Sequence, residues 1–167
     1  MKRSIKQSAD EFRTHWKNYI LQSLLATGVV FTVLVFLSVQ NNAVIIASIG
    51  ATTFIVCAMP NDLAAKPRNI IGGYIVSLIC GIICAIIPYP SFLPHLVSSS
   101  LIYAAAVGLS IFIMVVTDTE HPPAAAMALG VALRRSFSWN VIAAVLISAV
   151  VLSLIHFAFK RHLKDLT

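Results

Sequence analysis

Charge is scarce in this chain. Only 11% of its 167 residues are Asp, Glu, Lys or Arg, and six of those are acidic. Soluble domains carry about 25% charged residues, so an ordinary soluble domain is excluded. Cysteine is scarce too. The three present, Cys57, Cys80 and Cys84, all lie within apolar stretches, and an odd number there argues against a disulfide framework. Cys80 and Cys84 share a helix face without His or carboxylate companions, which makes a poor metal site and points to packing. There is no HExxH, no serine–histidine pair at a known spacing and no phosphate loop. No cleavable leader is expected, because the apolar run after Lys17 is too long for one and several more follow. No transit peptide is visible either, so a bacterial cytoplasmic membrane is the expected location. No cofactor is expected.

What is abundant is apolar sequence: 59% of residues are hydrophobic, and the mean hydropathy is +0.90. Runs of about 20 apolar residues can cross a hydrocarbon core roughly 30 Å thick. Four such runs are present: Tyr19–Val39, Ile70–Ile87, Leu96–Val116 and Val141–Phe159. Two shorter ones, Ala43–Met59 and Pro122–Leu133, lie between them. The expectation is an all-α, polytopic helical membrane protein in one membrane domain, 1–167, with lipid as its surroundings. Four long helices and two short, broken or re-entrant ones form two long–short–long repeats, 18–87 and 96–160. If all six segments cross, the second repeat is inverted relative to the first, an arrangement common in transporters. If the short segments dip and return, the repeats are parallel. Counting basic residues favours six crossings, with Arg134 and Arg135 against the rule.

The net charge of +6 is concentrated at the flanks. Lys2, Arg3, Lys6, Arg13 and Lys17 precede the first span, and Lys160, Arg161 and Lys164 follow the last. Both termini are therefore expected in the cytoplasm, and the charge calls for no nucleic-acid partner. Ile5, Ala9, Phe12 and Trp16 recur at helical spacing, predicting an amphipathic segment, 1–17, on the inner surface. Small residues recur every four positions at Gly73, Ser77, Gly81 and Ala85, at Ala104 and Gly108, and at Ala144 with Ser148. Such stripes let helices approach closely in lipid, within a protomer or in a homodimer.

One polar stretch interrupts this pattern, TDTEHPPAAAMALG at residues 117–130. Proline is suited to the first turn of a helix, so Pro122 and Pro123 mark a start, capped from Thr119–His121. A start below the membrane surface needs an acceptor for its free N–H groups, and an anion is the natural one. Ser48, Gly50, Ala51, Thr52 and Thr53 are expected to form a second such start. Gly50 and Ala51 would permit close approach, and the hydroxyls would donate. Together with His121, Pro122, Pro123 and Ala124 they would cradle an anion near the midplane, His121 supplying a donor or a coupled proton. The plain alternative is a solvated loop with acidic caps. Arg68, beside Asn69, falls on the same side as Asp118 and Glu120, so an ion pair could close that mouth. Arg135, next to Arg134, would attract anions to the other mouth or anchor a helix end.

TDTEHPPAAAMALG resembles the signature of the HPP family of small integral membrane proteins, named for the tripeptide. ASIGATTFIVCAMPNDLAAKPRNIIGGYIVSLICG is similar to the other long motif of that family, and the resemblance covers roughly residues 20 to 160. Ala124 and Ala125 depart from it, standing where glycine is frequent. The resemblance implies transport, with nitrite as the anion suggested by plastid and cyanobacterial members. The matching positions are Ser48, Gly50, Ala51, Pro67, Arg68, Asn69, His121, Pro122 and Pro123. Two other classes stay open: a membrane-embedded enzyme using Glu120 and His121 as acid and base, and an accessory subunit without a site of its own.

Overall fold

The computed structural model describes residues 5–37, 42–135 and 139–166, with side chains from Glu11 onward in the first stretch. The described residues form six helices: α1 Ile5–Leu37, α2 Ala43–Ala58, α3 Pro67–Ile86, α4 His95–Val116, α5 Pro122–Arg134 and α6 Trp139–Phe159. A short 3-10 turn, Leu63–Ala65, sits in the connector between α2 and α3. The local chemistry explains the boundaries. Proline opens α3 and α5 at the first turn and caps α4 from position 94, where its missing N–H costs nothing. Asn42 caps α2 by accepting from the Ile45 N–H.

Four helices are long and apolar enough to span a membrane: Glu11–Phe36, Pro67–Ile86, His95–Val116 and Trp139–Phe159. The long helices start somewhat earlier than the apolar runs alone suggest, because Pro67, His95 and Trp139 are still helical. Within α1 the backbone leaves helical geometry at His15, inside the expected surface segment 1–17 and two residues before its end. Lys2, Arg3 and Val39 lie outside the described residues, as do the side chains of Ile5, Lys6 and Ala9.

Contacts at the helix ends settle the direction of each helix. At one end, the tail amide of Leu166 donates to the Ala58 carbonyl and the Tyr19 hydroxyl donates to that of Leu166. Arg68 pairs with Asp118 there, and His121 meets the Ala64 carbonyl. The span of α1, α3 and α5 therefore begin at this end, and α2, α4 and α6 finish there. At the opposite end Arg135 donates to the Ile87 carbonyl and Gly130 packs on Ile45. The six helices alternate in direction, so the second set of three is inverted relative to the first. The chain is a polytopic helical membrane protein, and both of its described ends lie at the same end of the bundle. Helix α3 is central, packed against α4, α5 and α6.

The small-residue stripe of α3 makes this packing possible. A Cβ added at Gly73 would lie 2.8 Å from the His121 Cβ, and one at Gly81 2.7 Å from the Ala128 carbonyl oxygen. Ser77 shares a buried 2.9 Å hydrogen bond with Ser110 of α4. Ala144 and Ser148 of α6 are also buried, whereas Ala104 is exposed and a Cβ at Gly108 would meet nothing within 4 Å.

Candidate functional site

Helix α5 has 13 residues and covers only about 20 Å. Its missing length is at its beginning. His121 and Ala124 pack on Gly73, six residues inside α3, so α5 starts roughly 9 Å below the end of that helix. Thr119 turns back along α4, its amide donating to the Met114 carbonyl. The α2–α3 connector fills the space left beneath α5, with Ala64 and Ala65 buried.

His121 is fully buried at this recessed start. Its Nδ1 lies 2.8 Å from the Ala64 carbonyl oxygen and its Nε2 2.8 Å from the Thr52 hydroxyl. A carbonyl only accepts, so Nδ1 carries the hydrogen and Nε2 of the neutral ring accepts from Thr52. The Tyr74 hydroxyl, 2.8 Å from Thr52 Oγ1, then donates to Thr52. A continuous chain runs from Tyr74 through Thr52 and His121 to the connector. One turn away Ser48 donates to the Pro123 carbonyl at 2.6 Å. Asn69, also buried, donates to the Glu120 carbonyl at 3.2 Å. Three helices, α2, α3 and α5, and the connector are thus joined by neutral polar groups in an otherwise apolar core.

Three expectations need correction. Ser48–Thr53 is not a helix start: the run lies inside α2, which begins five residues before Ser48, at Ala43. Thr53 bonds back to the Ile49 carbonyl, a partner every helical threonine has within reach. The α5 start does not present a row of free N–H groups either. Pro122 and Pro123 have none, and the Ala124 amide donates to the His121 carbonyl at 2.8 Å. The site is therefore built from side chains and not from two facing helix N-termini. Finally, Gly50 and Ala51 do not provide close approach. Ala51 is exposed, and a Cβ at Gly50 would meet nothing within 4 Å. Gly50→Ala should accordingly leave the protein intact and raise its thermal unfolding temperature slightly in detergent, by the helix propensity of up to about 1 kcal/mol that glycine forgoes. A clear drop would mean that this face is covered.

The charged residues take the ends. Arg68 Nη1 lies 3.0 Å from Asp118 Oδ2, and its Nη2 donates to the Thr117 carbonyl. This exposed pair is worth little stability, and its place is the mouth above the recessed start. Asp118 adopts the left-handed backbone region, with φ 53°, which aspartate tolerates better than most residues. Arg135 closes α5 at the opposite end in the same conformation and lies 4.0 Å over the Tyr89 ring. Glu120 is exposed while His121 faces inward, so the two do not assemble as an acid–base pair. Beside them a pocket of about 310 Å³ lies between α4 and α5, lined by Ile111, Met114, Val115 and Ala125 as well as Glu120, His121 and Pro122. Its walls are largely apolar. Among the described residues no group of three His, Cys, Asp or Glu could hold a metal ion.

Tyr74 and Ala64 are the members of the chain that the sequence pattern alone did not single out. The signal for Tyr74 was a lone tyrosine in an apolar span, whose hydroxyl requires a partner when buried.

The chain is similar over residues 12–165 to the family described as HPP, transmembrane region. It is also 34% identical, over 87 residues, to a transmembrane protein of Dictyostelium discoideum, an alignment covering 52% of this chain and 29% of that protein. The matched stretch thus spans about 29% of the length of that relative. No solved structure matches.

Proposed function

The chain belongs to the HPP family of transmembrane proteins, and from that premise we propose that it transports a small monovalent inorganic anion, nitrite, across the membrane. The observation that carries this reading is the buried Tyr74–Thr52–His121 chain at the recessed start of α5. Hydroxyls and a neutral imidazole offer donors without a fixed charge. They suit an anion that must be held and then released, and a divalent one would be far costlier to desolvate. Transport requires the chain to open, so that Thr52 and Tyr74 turn their hydroxyl hydrogens from protein acceptors to the anion. Arg68 and Arg135, at opposite ends, attract it to either mouth. The basic residues Arg13, Lys17, Lys160, Arg161 and Lys164 lie on the flanks that share one end of the bundle, which supports a cytoplasmic placement of that end in a bacterial inner membrane.

The test is nitrite entry into liposomes holding the purified protein, with nitrate and chloride as competitors. Entry should exceed that of protein-free vesicles. Thr52→Val keeps the shape but removes the hydroxyl at the centre of the chain, and should slow entry roughly tenfold, the equivalent of ~1.4 kcal/mol. Absence of entry under any gradient would favour another substrate or an accessory role.

A further inference from the structure

A second buried histidine stands apart from this chain. His156, on α6, places Nε2 3.0 Å from the Pro60 carbonyl oxygen. Both buried histidines therefore donate to the same connector, His121 at Ala64 and His156 at Pro60. They differ at the other nitrogen. His121 has a partner for each, whereas Nδ1 of His156 has none and in the neutral ring is a lone-pair acceptor. Among the described residues the other two buried side-chain atoms without a partner are Ser153 Oγ and Gln22 Oε1. Ser153 precedes His156 by one helical turn on the same face of α6. Gln22 is held at the end of α2 by its amide, which donates to the carbonyls of Cys57 and Lys164. Folded proteins leave few buried polar atoms unpaired, and all three of these belong to side chains on helices that meet the C-terminal end of α2.

We propose that His156 is a proton-binding site, taking a proton from water at the tail end onto Nδ1, with Ser153 Oγ, one turn back on the same helix face, as the acceptor for the new N–H, and that this proton is the one coupled to the anion. The second half rests on the transport reading; the first does not. Protonation turns the unpartnered acceptor into a donor and leaves the Pro60 bond intact. The negative end of the α2 dipole favours the added charge, and Lys160, one turn along α6, opposes it. The other titratable or charged groups on the surrounding elements have partners or stand on the rim. Asp62 accepts from the Ala64 amide, Arg68 is held by Asp118, Tyr74 by Thr52, and Asp165 accepts from Asn61. Cys57 is a buried thiol on α2, while Glu11, His15, Tyr19 and Lys164 line the tail beside α1. His121, with both nitrogens engaged, holds the Thr52 hydroxyl in place at the anion site.

Two measurements test this. In the ¹⁵N spectrum of histidine-labelled protein, the resonances lost in His156→Gln should report an Nε2–H ring that becomes imidazolium on acidification from about pH 8 to about pH 5, while His121 stays neutral and Nδ1-protonated. A His156 that stays neutral throughout overturns the site, whether or not the protein moves nitrite. In liposomes, an inward gradient of about one pH unit is worth up to roughly tenfold accumulation per coupled proton. His156→Gln keeps an amide donor for Pro60 but cannot take the proton. It should lose this accumulation and retain nitrite exchange at equal pH. Retained accumulation in a variant whose titrating signal is gone would overturn the coupling. Absent nitrite movement in the wild type would defeat the transport reading alone and leave the titration to judge the site.

Discussion

Replacing His121 with alanine is expected to stop nitrite entry and to lower the thermal stability of the protein in the same step. The imidazole is fully buried and bridges α2, the connector and the start of α5. Alanine leaves the Ala64 carbonyl without its donor and the Thr52 O–H without its acceptor, with Tyr74 still donating to Thr52, each loss at ~1–3 kcal/mol, and opens a cavity as well. The sum, about 4 kcal/mol, is a large part of the stability of a small domain, so loss of uptake in this variant alone does not separate transport from folding. His121→Asn does. The Asn amide nitrogen takes the place of Nδ1 and keeps the donor to Ala64, while nothing reaches Thr52. Thermal unfolding in detergent should place the Asn variant between the wild type and the Ala variant, because it restores the Ala64 bond but not the Thr52 one, with nitrite uptake lost in each. Uptake at the wild-type rate in His121→Asn would remove the imidazole from the pathway.

The parts of this arrangement that were legible in the sequence are those governed by local rules. Apolar length marks the four spans, and Pro122–Pro123 marks a helix start because proline needs no N–H partner in the first turn. The pairing of Arg68 with an acid follows from the shared end of the connectors and is met by Asp118. What the sequence hid is non-local. Ser48–Thr53 looks polar enough to interrupt a helix, yet inside one its hydroxyls find the Ile49 carbonyl four residues back and the Pro123 carbonyl 75 residues ahead. Tyr74 acquires its role only because its hydroxyl reaches Thr52 of α2, 22 residues earlier. The same limit explains the glycines. Gly81 belongs to the four-residue stripe of α3, yet Gly108 stands in a similar repeat and faces open space as Gly50 does, so spacing alone does not say which glycine meets the backbone of α5.

Gly81→Ala is therefore expected to damage the protein where the same single-methyl change at Gly50 does not. The new Cβ would stand 2.7 Å from the Ala128 carbonyl oxygen and 2.8 Å from the Val131 Cβ, distances at which something must move. The oxygen belongs to the α5 backbone and cannot rotate aside, so the two helices must separate. In lipid, helices are held together by close packing more than by removal of apolar surface from solvent, and a separated pair recovers little. Overpacking of this kind costs about 1–3 kcal/mol, and the helix propensity gained from alanine, up to about 1 kcal/mol, offsets only part of it. The damage also propagates along α5. His121 rests on Gly73 of the same α3 face, so moving α5 outward lengthens the hydrogen bonds to Thr52 and Ala64 together. Thermal unfolding and nitrite uptake should fall in parallel for Gly81→Ala, while Gly50→Ala melts at or slightly above the wild type in the same detergent. Equal melting of the two variants would mean that α3 and α5 do not meet at this distance, and the placement of His121 against Thr52 and Ala64 would fall with it.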